Sequence, residues 1–134
     1  MKRIIIVLIT FFSIHISAQQ KPWPLDLITV PVKSNYQKTS TYSDVMAFIS
    51  VLQKKSDLMH VEHMGLSKEG KEIPVVVLAN PKVTTPAEAE ASGKPVMYIQ
   101  GNIHAGEVEG KEIVQQLMRD ILLGDKKHLL KFLH

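Results

Sequence analysis

Gly101-Asn102-Ile103-His104-Ala105-Gly106-Glu107 decides how this chain is read, because it lies between two segments of different period. Before it, Pro95 introduces Val96, Met97, Tyr98 and Ile99, a short apolar run of the kind a buried strand uses. After it, Ile113, Val114, Leu117, Met118, Ile121 and Leu122 recur at helical spacing over residues 108–123, and Gly124 is a natural stop. Strand, glycine-bearing loop and amphipathic helix form the repeating unit of an α/β sheet, whose sites gather beyond the carboxyl ends of strands. The polar cluster occupies that place, and the expected fold class is therefore α/β.

Within the loop, His104 and Glu107 make an H-x-x-E pair, so one imidazole and one carboxylate converge on a point if the loop folds back. Zinc accepts both donor types at about 2.0–2.2 Å, and its catalytic sites combine such ligands with an open water position. Gly101 and Gly106 are expected to let the backbone turn tightly beside the ion. The plainer reading is two surface polar groups at a helix start, where the helix dipole favours a glutamate anyway. On the local pattern alone the two readings stand level. Glu109 reads as a dipole-favoured surface group.

The other histidines compete poorly. His60 and His63 are three apart on an expected strand, so they point to opposite faces and chelate one ion with difficulty. Glu62 shares a face with His60, but such a pair is usually solvated. His128 and His134 follow the last helix in a Lys-rich, leucine-bearing tail, with nothing to hold them near His104. No serine sits in a nucleophile-elbow pattern and no glycine-rich phosphate loop is present, so acyl-enzyme and nucleotide chemistry lack support.

Upstream, Thr41 reads as an N-cap with Asp44 in a capping-box position, opening a helix over 42–55 with Val45, Phe48, Ile49 and Leu52 on one face. Residues 58–64 form an expected strand ended by Gly65. A polar turn, Ser67-Lys68-Glu69-Gly70-Lys71, leads to a second strand over 73–78, with Pro74 near its start as on an edge. Together they predict a hairpin. Asn80-Pro81 breaks it, and residues 84–94 are a surface connection with room for a short helical turn.

The N-terminus carries Met1-Lys2-Arg3, an apolar run over residues 4–12, and then residues 13–18 ending in Ala18. That is the layout of a secretory signal peptide covering residues 1–18, too short to span a bilayer comfortably. Residues 19–40, with prolines at 22, 24 and 31 and no period, predict an irregular lead-in, along which Trp23 docks on the domain surface. Removing Lys2 and Arg3 reduces the 16 basic residues to 14 against 13 acidic ones, near neutrality, which argues against a nucleic-acid surface. With no cysteine, stability has to come from a packed core. Export is expected, to a periplasmic or extracellular location.

Three landmarks in order, Thr41-Tyr42-Ser43-Asp44, then Gly65-Leu66-Ser67-Lys68-Glu69-Gly70-Lys71-Glu72-Ile73, then Gly101 to Glu107, resemble the N-terminal part of the M14 family of zinc carboxypeptidases. The likeness runs from about residue 41 to 123, and Lys71 stands where the family commonly has arginine. The resemblance implies that residues 41–134 are the N-terminal part of a catalytic domain, a three-layer α/β/α sandwich around a mixed sheet. It implies that His104 and Glu107 are two ligands of one Zn2+, with a third protein ligand, the general base and the carboxylate-gripping arginine downstream of residue 134. The implied activity is hydrolysis of C-terminal peptide bonds by a metal-activated water, with peptide or protein C-termini as substrate. The segment alone is then expected to bind zinc weakly and to cleave nothing. Two rivals share the scaffold: an aspartoacylase-like zinc deacylase and a non-catalytic secreted binding domain.

Overall fold

The computed structural model describes residues 22–134, so the expected signal peptide lies outside the described residues. Four helices and a hairpin follow in order: α1 (Val30–Lys33), α2 (Tyr42–Lys55), β1 (Met59–Leu66), β2 (Glu72–Leu78), α3 (Pro86–Ala91) and α4 (Val108–Leu123), with 3-10 turns at Leu25–Leu27 and Asp125–Lys131. Helix and sheet are mixed as the α/β reading expects, and the sheet among the described residues is a single antiparallel pair, β1 with β2.

Helix α2 begins where its cap chemistry puts it. Thr41 Oγ1 accepts from the Asp44 N–H at 3.3 Å, and Asp44 Oδ2 accepts from the Thr41 N–H at 2.8 Å, a reciprocal capping box. The Thr41 hydroxyl, which also donates to Asp44 Oδ2 at 2.6 Å, and then the Thr41 N–H hold the Asp44 carboxyl below the usual aspartate range. The helix buries Phe48, Ile49 and Leu52, with Val45 packed beside them, as their spacing predicts. Leu52 is wholly buried, and a leucine so placed contributes about 1.5–3 kcal/mol through the water-contact area it loses. Leu27, Met59 of β1, and Met118 and Leu122 of α4 complete the core, which therefore lies where α2, the buried end of the hairpin, α4 and the segment ahead of α1 meet.

In the hairpin, Met59 lies opposite Leu78 and His63 opposite Pro74, with a bulge between His63 and Gly65. The strand runs past the glycine that was expected to end it, because the bulge takes up Met64 and lets Gly65 pair with Ile73 and Leu66 with Glu72. A second capping box, Thr85 with Glu88, starts α3 in the surface connection.

Three features depart from expectation. The lead-in contains two helical turns, and α1 carries Pro31 in its first turn, where a missing N–H costs nothing. It is fastened to α4: Leu27 is buried in the core, Arg119 Nη1 donates to the Leu27 carbonyl at 3.0 Å, and the same guanidinium stacks 4.7 Å from the Trp23 ring. Trp23 thus docks on the domain as expected.

The second departure is the run at 96–99, which forms no strand; Val96, Met97, Tyr98 and Ile99 are exposed. A buried strand needs a neighbour along its edges, and among the described residues only its start has one. The Met97 N–H donates to the His134 carbonyl at 2.9 Å and the His134 N–H to the Pro95 carbonyl at 3.1 Å, the pattern of a parallel pairing one residue long.

The third lies on α4. Its length agrees with the sequence, but its inward face holds Glu112, Gln115 and Arg119 beside Met118, Ile121 and Leu122, while Ile113 is exposed. Glu112 is tolerated there because its carboxylate accepts from Thr39 Oγ1 (2.7 Å), the Ser40 N–H (2.6 Å), Ser40 Oγ (2.8 Å) and Gln115 Nε2 (3.2 Å). Residues 39 and 40, just ahead of the α2 cap, are thereby tied to the second turn of α4.

Candidate metal site

Glu107 is the N-cap of α4, and residues 101–107 form the loop that delivers the chain to it. The loop is tied back on itself: the Glu107 N–H donates to the His104 carbonyl at 3.0 Å, and the Gly110 N–H to the Glu107 carbonyl at 3.3 Å. The Glu107 carboxylate bends towards the loop rather than capping the helix. His104 Nδ1 donates to Glu107 Oε1 at 2.8 Å, and the His104 N–H lies 3.4 Å from Oε2. The imidazole and carboxylate singled out in the sequence are thus brought together on one side of the loop.

Both side chains face solvent, the His104 side chain 78% and that of Glu107 59% exposed. A polar contact so exposed contributes about 0–1 kcal/mol even when both partners are charged, so the fold gains little from holding the two in this arrangement. The donor set, one imidazole nitrogen and one carboxylate oxygen, is the kind zinc takes. Neighbouring ligand atoms of a tetrahedral zinc site stand roughly 3.3 Å apart, given bonds of about 2.0–2.2 Å. Opening the 2.8 Å contact by about half an ångström would admit the ion, a movement within the reach of two exposed side chains. The residues present therefore fit two vertices of such a site. Among the described residues no group of three or more His, Cys, Asp or Glu side chains gathers to complete one.

The remaining histidines among the described residues are engaged elsewhere. His60 Nε2 lies 2.9 Å from Glu62 Oε1, and His63 Nε2 3.0 Å from Glu72 Oε2. His128 Nδ1 donates to the Asp125 carbonyl at 2.9 Å. His134 is buried, with Nε2 2.6 Å from Ser92 Oγ. Burial first, and then the Lys94 charge, hold its pKa below the ordinary histidine value.

The glycines of the loop differ from expectation. Gly106 has no left-handed φ, and a Cβ there would meet nothing within 4 Å, so the loop does not require a glycine at that position. The left-handed residue is Asn102, at φ 61°, a conformation asparagine tolerates better than most. Gly101 is needed for a steric reason: a Cβ would lie 2.8 Å from the Gly110 carbonyl carbon and 2.9 Å from its oxygen. Gly110, which the sequence reading passed over, faces it from the first turn of α4. A glycine inside a helical pattern is the signal that marks it, since it costs about 1 kcal/mol against alanine and calls for a packing reason.

The profile of the zinc carboxypeptidase family, M14 peptidases, matches residues 45–134, two-thirds of the chain including the whole loop and α4. Neither curated proteins nor solved structures gave a significant match.

Proposed function

This chain belongs to the zinc carboxypeptidase family, and on that premise we propose that His104 and Glu107 are two ligands of the catalytic zinc of a peptidase that removes C-terminal residues. The observation that carries the reading is the convergence of His104 Nδ1 and Glu107 Oε1 to 2.8 Å on an exposed loop, inside the segment the family profile matches. The family is zinc-dependent and hydrolytic, and its match favours peptide substrates over the N-acyl amino acids of a deacylase.

Bound there, zinc supplies a Lewis acid that polarises a scissile carbonyl and makes water nucleophilic at neutral pH. The chain's own part is to hold and orient. The imidazole gives a neutral nitrogen and the carboxylate a negative oxygen, so the pair offsets one of the ion's two charges and leaves a net positive centre. Both side chains project from the N-terminal end of α4, where the helix dipole favours negative charge. Their exposure leaves the approach open to an extended peptide. The third protein ligand and the base that takes the water's proton belong, on this reading, to family positions downstream of residue 134. The apolar run with basic flank at residues 1–18 supports export of the protein.

The test is release of C-terminal amino acids from peptides, followed by mass spectrometry, with a polypeptide that spans this region and the downstream family ligands. Release that stops with a chelator, returns with zinc and is lost in His104→Ala and Glu107→Ala agrees with the proposal. Release that survives both substitutions contradicts it.

A further inference from the structure

We propose that Gly110 is a positioning residue for the metal pair: its bare Cα lets the chain at Gly101 and Asn102 rest backbone to backbone on the first turn of α4, which fixes His104 relative to Glu107. This rests on the reading of His104 and Glu107 as zinc ligands.

The contact is mutual and close. A Cβ on Gly110 would stand 3.1 Å from the Asn102 nitrogen and 3.2 Å from the Gly101 Cα, tighter than side chains ordinarily approach backbone. From the other side, a Cβ on Gly101 would stand 2.8 Å from the Gly110 carbonyl carbon and 3.0 Å from the Lys111 nitrogen. Neither glycine has a left-handed φ, so conformational freedom does not account for either. Space does.

The consequence follows from where the loop is tied. Its far end is Glu107, bonded through its carbonyl to the Gly110 N–H, and its near end rests on Gly110 itself. One helical turn thus sets both ends of the segment carrying the two ligands. A methyl group at 110 has only backbone to push against, and relief requires the near end to move by a few tenths of an ångström. His104 lies two residues beyond Asn102, whose left-handed turn aims the chain. Metal–ligand distances are held to about 0.2 Å, so a displacement of that size is felt by the ion while the core, built from α2, β1 and the buried side of α4, does not depend on it.

Gly110→Ala separates this role from a merely structural one, because alanine favours the helix over glycine. Zinc titrations of the chain, followed by NMR of the His104 ring nitrogens and accompanied by thermal melts, are the experiment. Wild type is expected to show a saturable shift of the His104 ring, and Gly110→Ala to raise the Kd about tenfold or more, the scale seen when a ligand's support is removed, with an unchanged or higher Tm. Gly101→Ala attacks the same contact from outside the helix and is expected to raise the Kd likewise. Either variant folded and binding zinc as wild type does would overturn the proposal. So would loss of the fold in both, which would make the contact a requirement of folding rather than of the loop. A His104 ring unmoved by zinc in the wild type would refute the metal reading and this proposal together; equal binding by wild type and variants would refute this proposal alone.

Discussion

Replacing Glu112 by alanine tests the polar side of the packing, where the largest single effect is expected. The residue is 6% exposed, and its carboxylate serves four donors. Two of these, the Ser40 N–H and hydroxyl, belong to a residue only 4% exposed and, among the described residues, donate to no acceptor other than the carboxylate. Leaving each unsatisfied costs about 1–3 kcal/mol. Thr39 is exposed enough to regain water, and Gln115 Nε2 keeps the Lys111 carbonyl at 3.2 Å, so neither adds much. The sum is about 4 kcal/mol, and for a domain of this size roughly 4 °C of Tm accompanies each kcal/mol, or about 15 °C. Urea unfolding followed by circular dichroism measures it. Glu112→Gln keeps the shape and one acceptor oxygen and is expected to lose about half as much. A loss below about 1 kcal/mol for Glu112→Ala would show that water or the backbone replaces the carboxylate without cost, and the reasoning from buried donors would fail.

Two further outcomes follow from the same packing. Arg119→Ala removes both the bond to the Leu27 carbonyl and the stack on Trp23, so the lead-in should loosen; Trp23 is the only tryptophan, and its fluorescence should shift to the red without loss of helical signal, whereas an unmoved spectrum would detach the lead-in from Arg119. The capping carboxylates Asp44 and Glu88 are both held below their usual range, Asp44 chiefly by the Thr41 hydroxyl and Glu88 chiefly by the Thr84 N–H. A depressed native value means stabilisation that is complete above the ordinary carboxylate range and lost as pH falls through the native value. The first turns of α2 and α3 should therefore lose amide protection in acid before the core does, and amides at 44 and 88 that stay protected down to global unfolding would contradict this.

Much of the architecture was legible because it rests on local chemistry. Thr41 with Asp44, the four-residue stripe on α2, the Ser67–Lys71 turn and the stop at Gly124 each follow from sequence spacing, and the structure places them there. The H-x-x-E pair was legible for the same reason: its two side chains are neighbours in one short loop. What escaped depends on contacts across the chain. Glu112 is buried because residues 39 and 40 supply donors from more than seventy positions away, and nothing in its own neighbourhood foretells that. Hydrophobicity alone ranked Ile113 above it. Residues 96–99 have strand composition, but a strand is a pairing, and among the described residues only the bonds to His134 provide one. The role given to Gly106 belongs to Asn102 for the turn and to Gly101 with Gly110 for the close approach; local sequence shows the glycines but not what they face.

X-ray absorption at the zinc edge, on the chain loaded below one equivalent, bears most directly on the joint grip of His104 and Glu107. A first shell of nitrogen and oxygen near 2.0–2.2 Å, with outer scattering from one imidazole per zinc that vanishes in His104→Ala, is the result expected. Two imidazoles per zinc, or an imidazole signature that persists when His104 is gone, would place the ion on other histidines and contradict it.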